Sequence, residues 1–357
     1  MDYTLLFSFI IPVYNAASTL NRCLDSILVR TTPDYEILLI NDSSTDNSLA
    51  ICEEYAAKYP QVSVYTFPNG GAGAARNRGL EKARGKYIIF CDSDDWYNSE
   101  ELNKLLDSAD EHMKDIDLLC FDYRRQWVDY FEDIKHFDNE TFELKDKEER
   151  LFAVSSSILS KKFGIILWNK IYKKEIIDKN NIIFPERDAL NNSNDWGEDL
   201  CFNAQYVLVI SHVVSVDVPI YINSMRTKRN EEDKHYQNYK NGVLDHISKM
   251  FFFVKDTFAF QKATDKDFRD FYFFQVYNNI FLETYYWGIE STKKLFDKIE
   301  LDCNVRSFYI RCLFGWKSFS RNRFNKTKSD EYFCILVYLI TGRMFIYKVL
   351  CKLLTNK

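Results

Sequence analysis

Three carboxylates, Asp92, Asp94 and Asp95, fall within four residues directly after the apolar run Tyr87 to Cys91. Packed so closely they repel one another, and some of their pKa values must rise unless a cation neutralises them. Hard oxygen donors select Mg²⁺ or Mn²⁺, and Mg²⁺ characteristically takes one or two carboxylates plus the phosphates of a substrate. The cluster therefore predicts a bound diphosphate. An acidic turn capping the helix that starts near Ser99 would use the same residue types.

Two other stretches carry comparable chemistry. Asn69-Gly70-Gly71-Ala72-Gly73-Ala74-Ala75-Arg76-Asn77 is rich in small residues, which let backbone N–H groups and one arginine approach a nucleotide closely. Its spacing is neither a Walker A loop nor a dinucleotide fingerprint, and a tight turn into a well-packed helix would look alike. Glu198-Asp199 stands before an apolar segment. A hydroxyl with a pKa far above 7 is a poor nucleophile, and a positioned carboxylate can take its proton. The same pair is also a common helix N-terminus.

The elements that must position these residues are legible in the first hundred positions. Leu5 to Val13 and Tyr35 to Asn41 read as near-continuous apolar strands, Val62 to Phe67 as a third and Lys86 to Asp92 as a fourth. Between them, Leu20, Leu24, Ile27 and Leu28 share a helical face, with Ser18 as the expected cap. Ser43 and Ser44 are expected to open a second helix running towards Tyr59, and Gly73 to Arg84 a third that Gly85 stops. Such alternation implies a mostly parallel sheet with helices on both faces, whose ligands bind at the carboxyl ends of the strands. Asn15, Asp42, Asn69 and Asp92 arrive at that edge. Further on, a helix from Ser99 to about Met113 and a strand near Asp117 to Tyr123 precede a charged stretch, Asp138 to Arg150, expected to be a surface excursion.

A chain of 357 residues, 46% hydrophobic and 28% charged, has the balance of a folded protein. Nine scattered cysteines without a Cys-x-x-Cys pair, and five histidines, argue against a structural zinc site. His212 lies nearest to the motifs, as an extra metal ligand or a core histidine. A net charge of −5 argues against nucleic-acid binding. The N-terminus enters a strand at once, without the features of a secretory signal, which predicts a cytoplasmic location.

Together, Ile11-Pro12-Val13-Tyr14-Asn15, Asn41-Asp42-Ser43-Ser44-Thr45-Asp46, the segment Gly71 to Gly79 and Asp92-Ser93-Asp94-Asp95 resemble the GT-A-fold glycosyltransferases of family 2. The resemblance implies an α/β, Rossmann-like GT-A domain that uses a nucleotide-diphosphate sugar, often UDP-linked, and a divalent metal, Mn²⁺ or Mg²⁺. It implies transfer with inversion to a saccharide or lipid-linked acceptor. By it, Pro12, Val13 and Tyr14 line the base pocket, Asp42 bonds the base, and Arg76 sits beside the nucleotide. Asp92, with Ser93 on the donor side, approaches the ribose and Asp94 holds the metal. Asp95 is either a further ligand or a helix cap, and Asp46 is expected to stabilise the following helix.

In the second half, Trp196-Gly197-Glu198-Asp199-Leu200 resembles the family's Glu-Asp motif, which makes Asp199 the general base. Trp168-Asn169-Lys170 fits an acceptor-side segment, or else a core tryptophan beside a solvated lysine. Trp196 offers a platform for a sugar ring or a core contact. The resemblance weakens after Tyr221, where Arg226, Lys228 or Arg229 is expected to meet the diphosphate.

The expected organisation is one catalytic domain over residues 1–230, with a nucleotide-binding half 1–115 and an acceptor half 116–230. Residues 231–357 form a helical C-terminal region. From Cys303 to Lys328 that region carries seven Lys or Arg and no acid. Phe333 to Leu354 is apolar but interrupted by Arg343, Lys348 and Lys352, too soon for a membrane span. It suits an anionic membrane surface, as in assembly of a bacterial surface polysaccharide, or a helical pair folded back on the domain. A catalytically inactive scaffold of the same fold is the alternative activity class.

Overall fold

A computed structural model of the chain describes residues 5–29, 34–135, 139–145, 150, 166–186 and 198–225. The C-terminal region expected over 231–357, Trp196, and the basic residues Arg226, Lys228 and Arg229 lie outside the described residues.

The N-terminal half alternates β1 (Leu5–Val13), α1 (Leu20–Leu28), β2 (Tyr35–Asn41), α2 (Ser48–Lys58), β3 (Val62–Thr66), α3 (Gly71–Lys82) and β4 (Gly85–Phe90). There follow β5 (Trp96–Tyr97), α4 (Ser99–His112), β6 (Leu118–Gln126), β7 (Phe131–Ile134) and β8 (Glu140–Glu143). The last described elements are β9 (Lys170–Lys173), α5 (Lys174–Lys179), α6 (Glu198–Val207) and β10 (His212–Ser224).

One sheet runs through both halves in the order β3-β2-β1-β4-β9-β6-β10-β5, with β7 paired to β6 and β8 to β10. Among themselves the first four strands pair in parallel, and β6 runs parallel to β10. β9 joins the two parallel blocks by antiparallel pairing with β4 and β6. β2 is buried at every position, which is why it reads as a near-continuous apolar run, broken by Glu36, which is paired with Arg84.

Alternate residues of the strands feed two cores. Ile10, Leu38, Ile88 and Phe90 pack with Leu80 of α3 and with Phe202 and Tyr206 of α6. On the other face Phe9, Ile11, Leu39 and Ile89 pack with Leu20 and Leu24 of α1 and Leu102 of α4. Each fully buried side chain of this size stabilises the fold by about 1.5–3 kcal/mol.

Four local expectations are corrected. Helix α2 opens at Ser48, because Ser43 holds a left-handed φ of 60° and cannot continue into a helix. Helix α1 is preceded at its N-cap by Thr19 rather than Ser18. Gly85 does not stop α3 but begins β4, two residues after the helix's extended C-cap at Ala83. The stretch Asp138 to Arg150 contains β8, which pairs antiparallel with His212–Ser215 of β10.

Candidate active site

The carboxyl ends of β1, β2 and β4 meet at one sheet edge. Backbone there departs from ordinary geometry: Asn15 has φ 50° and Ser43 φ 60°, conformations that cost about 1–2 kcal/mol and gather at functional sites. Asn15 Oδ1 accepts from the Thr45 N–H at 2.8 Å, which ties the β1 end to the β2 end. As expected, Asp46 serves the following helix: it accepts from the Ser48 N–H at 2.9 Å, and its carboxyl is held low mainly by the Ser48 hydroxyl. It also takes the Ala17 N–H at 3.0 Å.

Asp42, at the end of β2, is 3% exposed. Its two oxygens accept from the Gly70 N–H at 2.9 Å and the Gly71 N–H at 2.8 Å, at the N-terminus of α3. Gly71 has φ 84°, which a side chain would strain. Arg78 adds an ion pair at 3.2 Å and lies over the Phe67 ring. Pro12 is half-buried, Tyr14 is 54% exposed, and Val13 is wholly buried in the core, so Val13 faces this edge only through its backbone. Its carbonyl accepts from the Asp42 N–H at 2.9 Å.

Helix α3 carries the central cation. Its small residues allow close packing: a Cβ on Gly73 would lie 2.4 Å from the Pro185 carbonyl oxygen. Asn77 and Phe184 exchange two hydrogen bonds, of 3.0 and 2.8 Å, that dock this segment on the helix. Arg76, 4% exposed, then reaches three carboxylates. Nη2 donates to Asp92 at 2.9 Å, and Nη1 donates to Glu198 at 3.0 Å and Asp199 at 3.1 Å. Its Nε is buried without a partner among the described residues.

The charge imbalance is visible in the titration of these groups. Burial pushes the Asp199 carboxyl well above the ordinary aspartate value; Arg76 opposes the rise, while Glu198 and Asp92 add to it. Glu198 is raised for the same reason. Burial alone would lower the Arg76 pKa, but Asp199, Asp92 and Glu198 outweigh it and keep the guanidinium charged.

The acidic motif divides. Asp92 is partly exposed and Ser93 and Asp94 are half-buried, whereas Asp95 is 2% exposed. Asp95 accepts from Tyr221 Oη at 2.9 Å, Asn223 Nδ2 at 3.0 Å and the Ser224 N–H at 2.6 Å. It therefore neither faces a ligand nor caps α4, where Asn98 Oδ1 takes the Glu101 N–H at 3.4 Å instead. Below the motif, Thr19 donates to the Ser93 carbonyl at 2.9 Å, and Arg22 lies 3.6 Å over the Trp96 ring.

On the acceptor side, Trp168 is 7% exposed and stacks on Tyr221 with centroids 4.2 Å apart. Lys170 is not solvated: it is fully buried and donates to the Asn169 side chain at 2.7 Å and to the Ile166 carbonyl. Burial lowers its pKa to about 8. His212 is neither core nor at this edge; it stands exposed at the start of β10. Arg78 and Tyr221 were not singled out from the sequence. Arg78 had a signal in its place two residues after Arg76, whereas Tyr221 looked like one more aromatic in a strand.

Residues 8–179, a little under half of the chain, match the family described as glycosyl transferase family 2. The chain is 34% identical over 230 residues to a cholesterol galactosyltransferase of Borreliella burgdorferi, covering 61% of this chain and 60% of the relative. It is 44% identical over 115 residues to a poly(ribitol-phosphate) beta-glucosyltransferase of Bacillus spizizenii, covering 31% of this chain and 18% of the relative. Against two other bacterial relatives, matched over 245 and 253 residues, the chain covers 64% and 67% of their length. The fold is that of residues 1–349 of S. aureus TarS, crystallised with UDP-GlcNAc, at a TM-score of 0.59 and 18% identity over 98% of this chain and 91% of that one. Together these show a GT-A fold and a domain similar to glycosyl transferase family 2.

Proposed function

We propose that the chain transfers a sugar, with inversion, from a nucleotide-diphosphate donor to a hydroxyl of a saccharide or lipid-linked acceptor. The observation that carries this reading is Arg76, whose one guanidinium holds Asp92 of the donor-side motif and Asp199 of the Glu-Asp motif on adjacent nitrogens. Two segments more than a hundred residues apart thus converge within the span of one side chain.

On this reading Asp42 and the β1 end hold the base, and Asp92 the ribose. Asp199 takes the proton of the acceptor hydroxyl as that oxygen attacks the sugar C1 and the bond from C1 to the diphosphate breaks on the opposite face. A single displacement inverts the anomeric centre. A raised pKa makes Asp199 a stronger base than an ordinary aspartate once it is ionised. Arg76, with its unpartnered Nε, contributes positive charge beside the nucleotide.

The donor set fits a divalent cation held jointly with a substrate. Asp95 has both oxygens occupied, and Asp92 commits Oδ1 to Arg76. Among the described residues no group of three or more His, Cys, Asp or Glu is placed to hold a metal by itself. One or two carboxylates plus phosphates is the arrangement Mg²⁺ favours. Asp94, with Asp92, would hold Mg²⁺ or Mn²⁺, which supplies charge neutralisation of the diphosphate when bound.

A UDP-linked hexose is the donor that the relatives support: TarS was crystallised with UDP-GlcNAc, and two relatives are named as a galactosyl- and a glucosyltransferase. The second name also supports a cell-surface polymer as acceptor. No helix among the described residues is long and apolar enough to cross a membrane. Docking of residues 231–357 on the cytoplasmic face is part of this proposal, and co-sedimentation with anionic liposomes at low salt tests it. Screening UDP- and GDP-sugars for metal-dependent hydrolysis and thermal stabilisation tests the donor. No response to any of them would overturn the reading.

A further inference from the structure

Asp95 belongs to the acidic motif by sequence but to β10 by contact. All three of its donors, Tyr221, Asn223 and Ser224, come from the last four residues of that strand. Tyr221 is the hinge of this arrangement. Its hydroxyl donates to Asp95 at 2.9 Å and accepts from the Asp92 N–H at 3.1 Å, so one oxygen holds both ends of the turn. Its ring lies nearly parallel to Trp168, at 11°, and edge-on to Tyr97, with centroids 5.0 Å apart. The strand beneath is held on both sides, Tyr221 pairing with Tyr123 of β6 and with Tyr97 of β5.

We propose that Tyr221 and Asp95 are positioning residues, a latch that fixes the turn carrying Asp92 and Asp94 against the wall that carries Trp168. Neither touches the donor. The latch acts through Asp92, and so rests on the reading of Asp92 as a donor-side group. These contacts give the third acidic residue of the turn a structural use. Three donors and a buried tyrosine hold it in place, and the turn's own peptide N–H shares the same hydroxyl.

Removing the hydroxyl leaves the ring packing intact while the Asp92 N–H loses its acceptor and Asp95 loses one donor. A buried hydrogen bond of ordinary strength corresponds to about a tenfold change in an equilibrium. In Tyr221→Phe, UDP binding in the presence of Mn²⁺ should weaken about tenfold, and the KM for a UDP-sugar should rise alike. The kcat should stay within about threefold, since Asp199 keeps its partner. Amide exchange at Asp92 should quicken by about tenfold or more, with β1 and β4 unchanged.

Tyr97→Phe is the matched control. It removes a hydroxyl that donates to the Phe90 carbonyl at 3.1 Å in the same aromatic cluster, without touching Asp92 or Asp95. It should lower the melting temperature by a similar amount and leave UDP affinity and Asp92 exchange as they are. Unchanged Asp92 exchange in Tyr221→Phe, or an equal loss of UDP affinity in both variants, would overturn the latch. If the wild-type chain binds no UDP, the donor reading falls, and Asp92 exchange still decides whether the latch exists.

Discussion

Arg76 Nη2 lies 2.9 Å from Asp92 Oδ1, and this contact joins the only strongly buried cation of α3 to the turn after β4. Because the neighbouring nitrogen holds Glu198 and Asp199, the guanidinium is the common partner of the acidic turn and the Glu-Asp motif.

Replacing Arg76 should be costly. Removing one partner of a buried ionic cluster typically destabilises by about 3–5 kcal/mol, because the opposing charges stay behind. Arg76→Leu is expected to lose about this much at pH 8. Without the guanidinium the Glu198 and Asp199 carboxyls rise further, so their protonated forms favour the folded state and the deficit grows as pH increases from 5 to 8. Denaturant unfolding at the two pH values measures it; an equal deficit at both would contradict the cluster's role.

The pH dependence of turnover follows from Asp199. Its carboxyl is raised by burial, so the base is protonated at pH values where an ordinary aspartate is ionised. The acid limb of kcat should therefore lie well above pH 4, and activity should fall as pH drops through it. A limb near the ordinary carboxylate value of about 3.9 would contradict this.

Lys170 provides a stability test with the opposite sense. Its folded pKa of about 8 lies below the unfolded value of 10.5, so between them the unfolded chain binds more protons and stability rises with pH. Relative to Lys170→Met, the wild type should gain roughly 3 kcal/mol between pH 7 and 10.5. A pH-independent difference in urea unfolding would show that the buried amine keeps its ordinary pKa.

Gly73→Ala tests the docking of α3. The new Cβ would meet the Pro185 carbonyl oxygen at 2.4 Å, a backbone atom that cannot simply rotate away. Strain of this kind typically costs about 1–3 kcal/mol. The melting temperature should fall, and turnover with it, because Arg76 rides on the same helix. An unchanged melting temperature would contradict the close approach.

Much of the fold was legible because its signals are local. β1 and β2 match the predicted runs to the residue, since strands covered on both faces are apolar along most of their length. The start of α2 was misplaced because Ser43 and Ser44 look like helix-opening residues, while a left-handed Ser43 and the Asp46 turn postpone the helix to Ser48. At the site, the motifs and the family resemblance pointed to Asp92 and Asp199, but not to the partner they share. That Arg76 would reach Glu198 and Asp199, 122 and 123 positions away from it, is set by tertiary packing, which no local pattern carries. Burial hid the rest: Lys170 was expected on the acceptor side or solvated, and Asp95 to face a ligand or cap a helix, yet both are buried, Asp95 under the distant strand β10.

The central claim is a division of labour between donor-holding Asp92 and Asp94 and a separate base, Asp199. Side-by-side assay of Asp199→Asn and Asp94→Ala for sugar transfer and for UDP affinity, with Mn²⁺ and with chelator, tests it most directly. Asp199→Asn should lose about 10²–10⁴-fold in turnover while UDP affinity stays within about twofold. Asp94→Ala should lose both, and its UDP affinity should no longer respond to chelator. Full transfer by Asp199→Asn, or wild-type UDP affinity indifferent to chelator, would contradict the account.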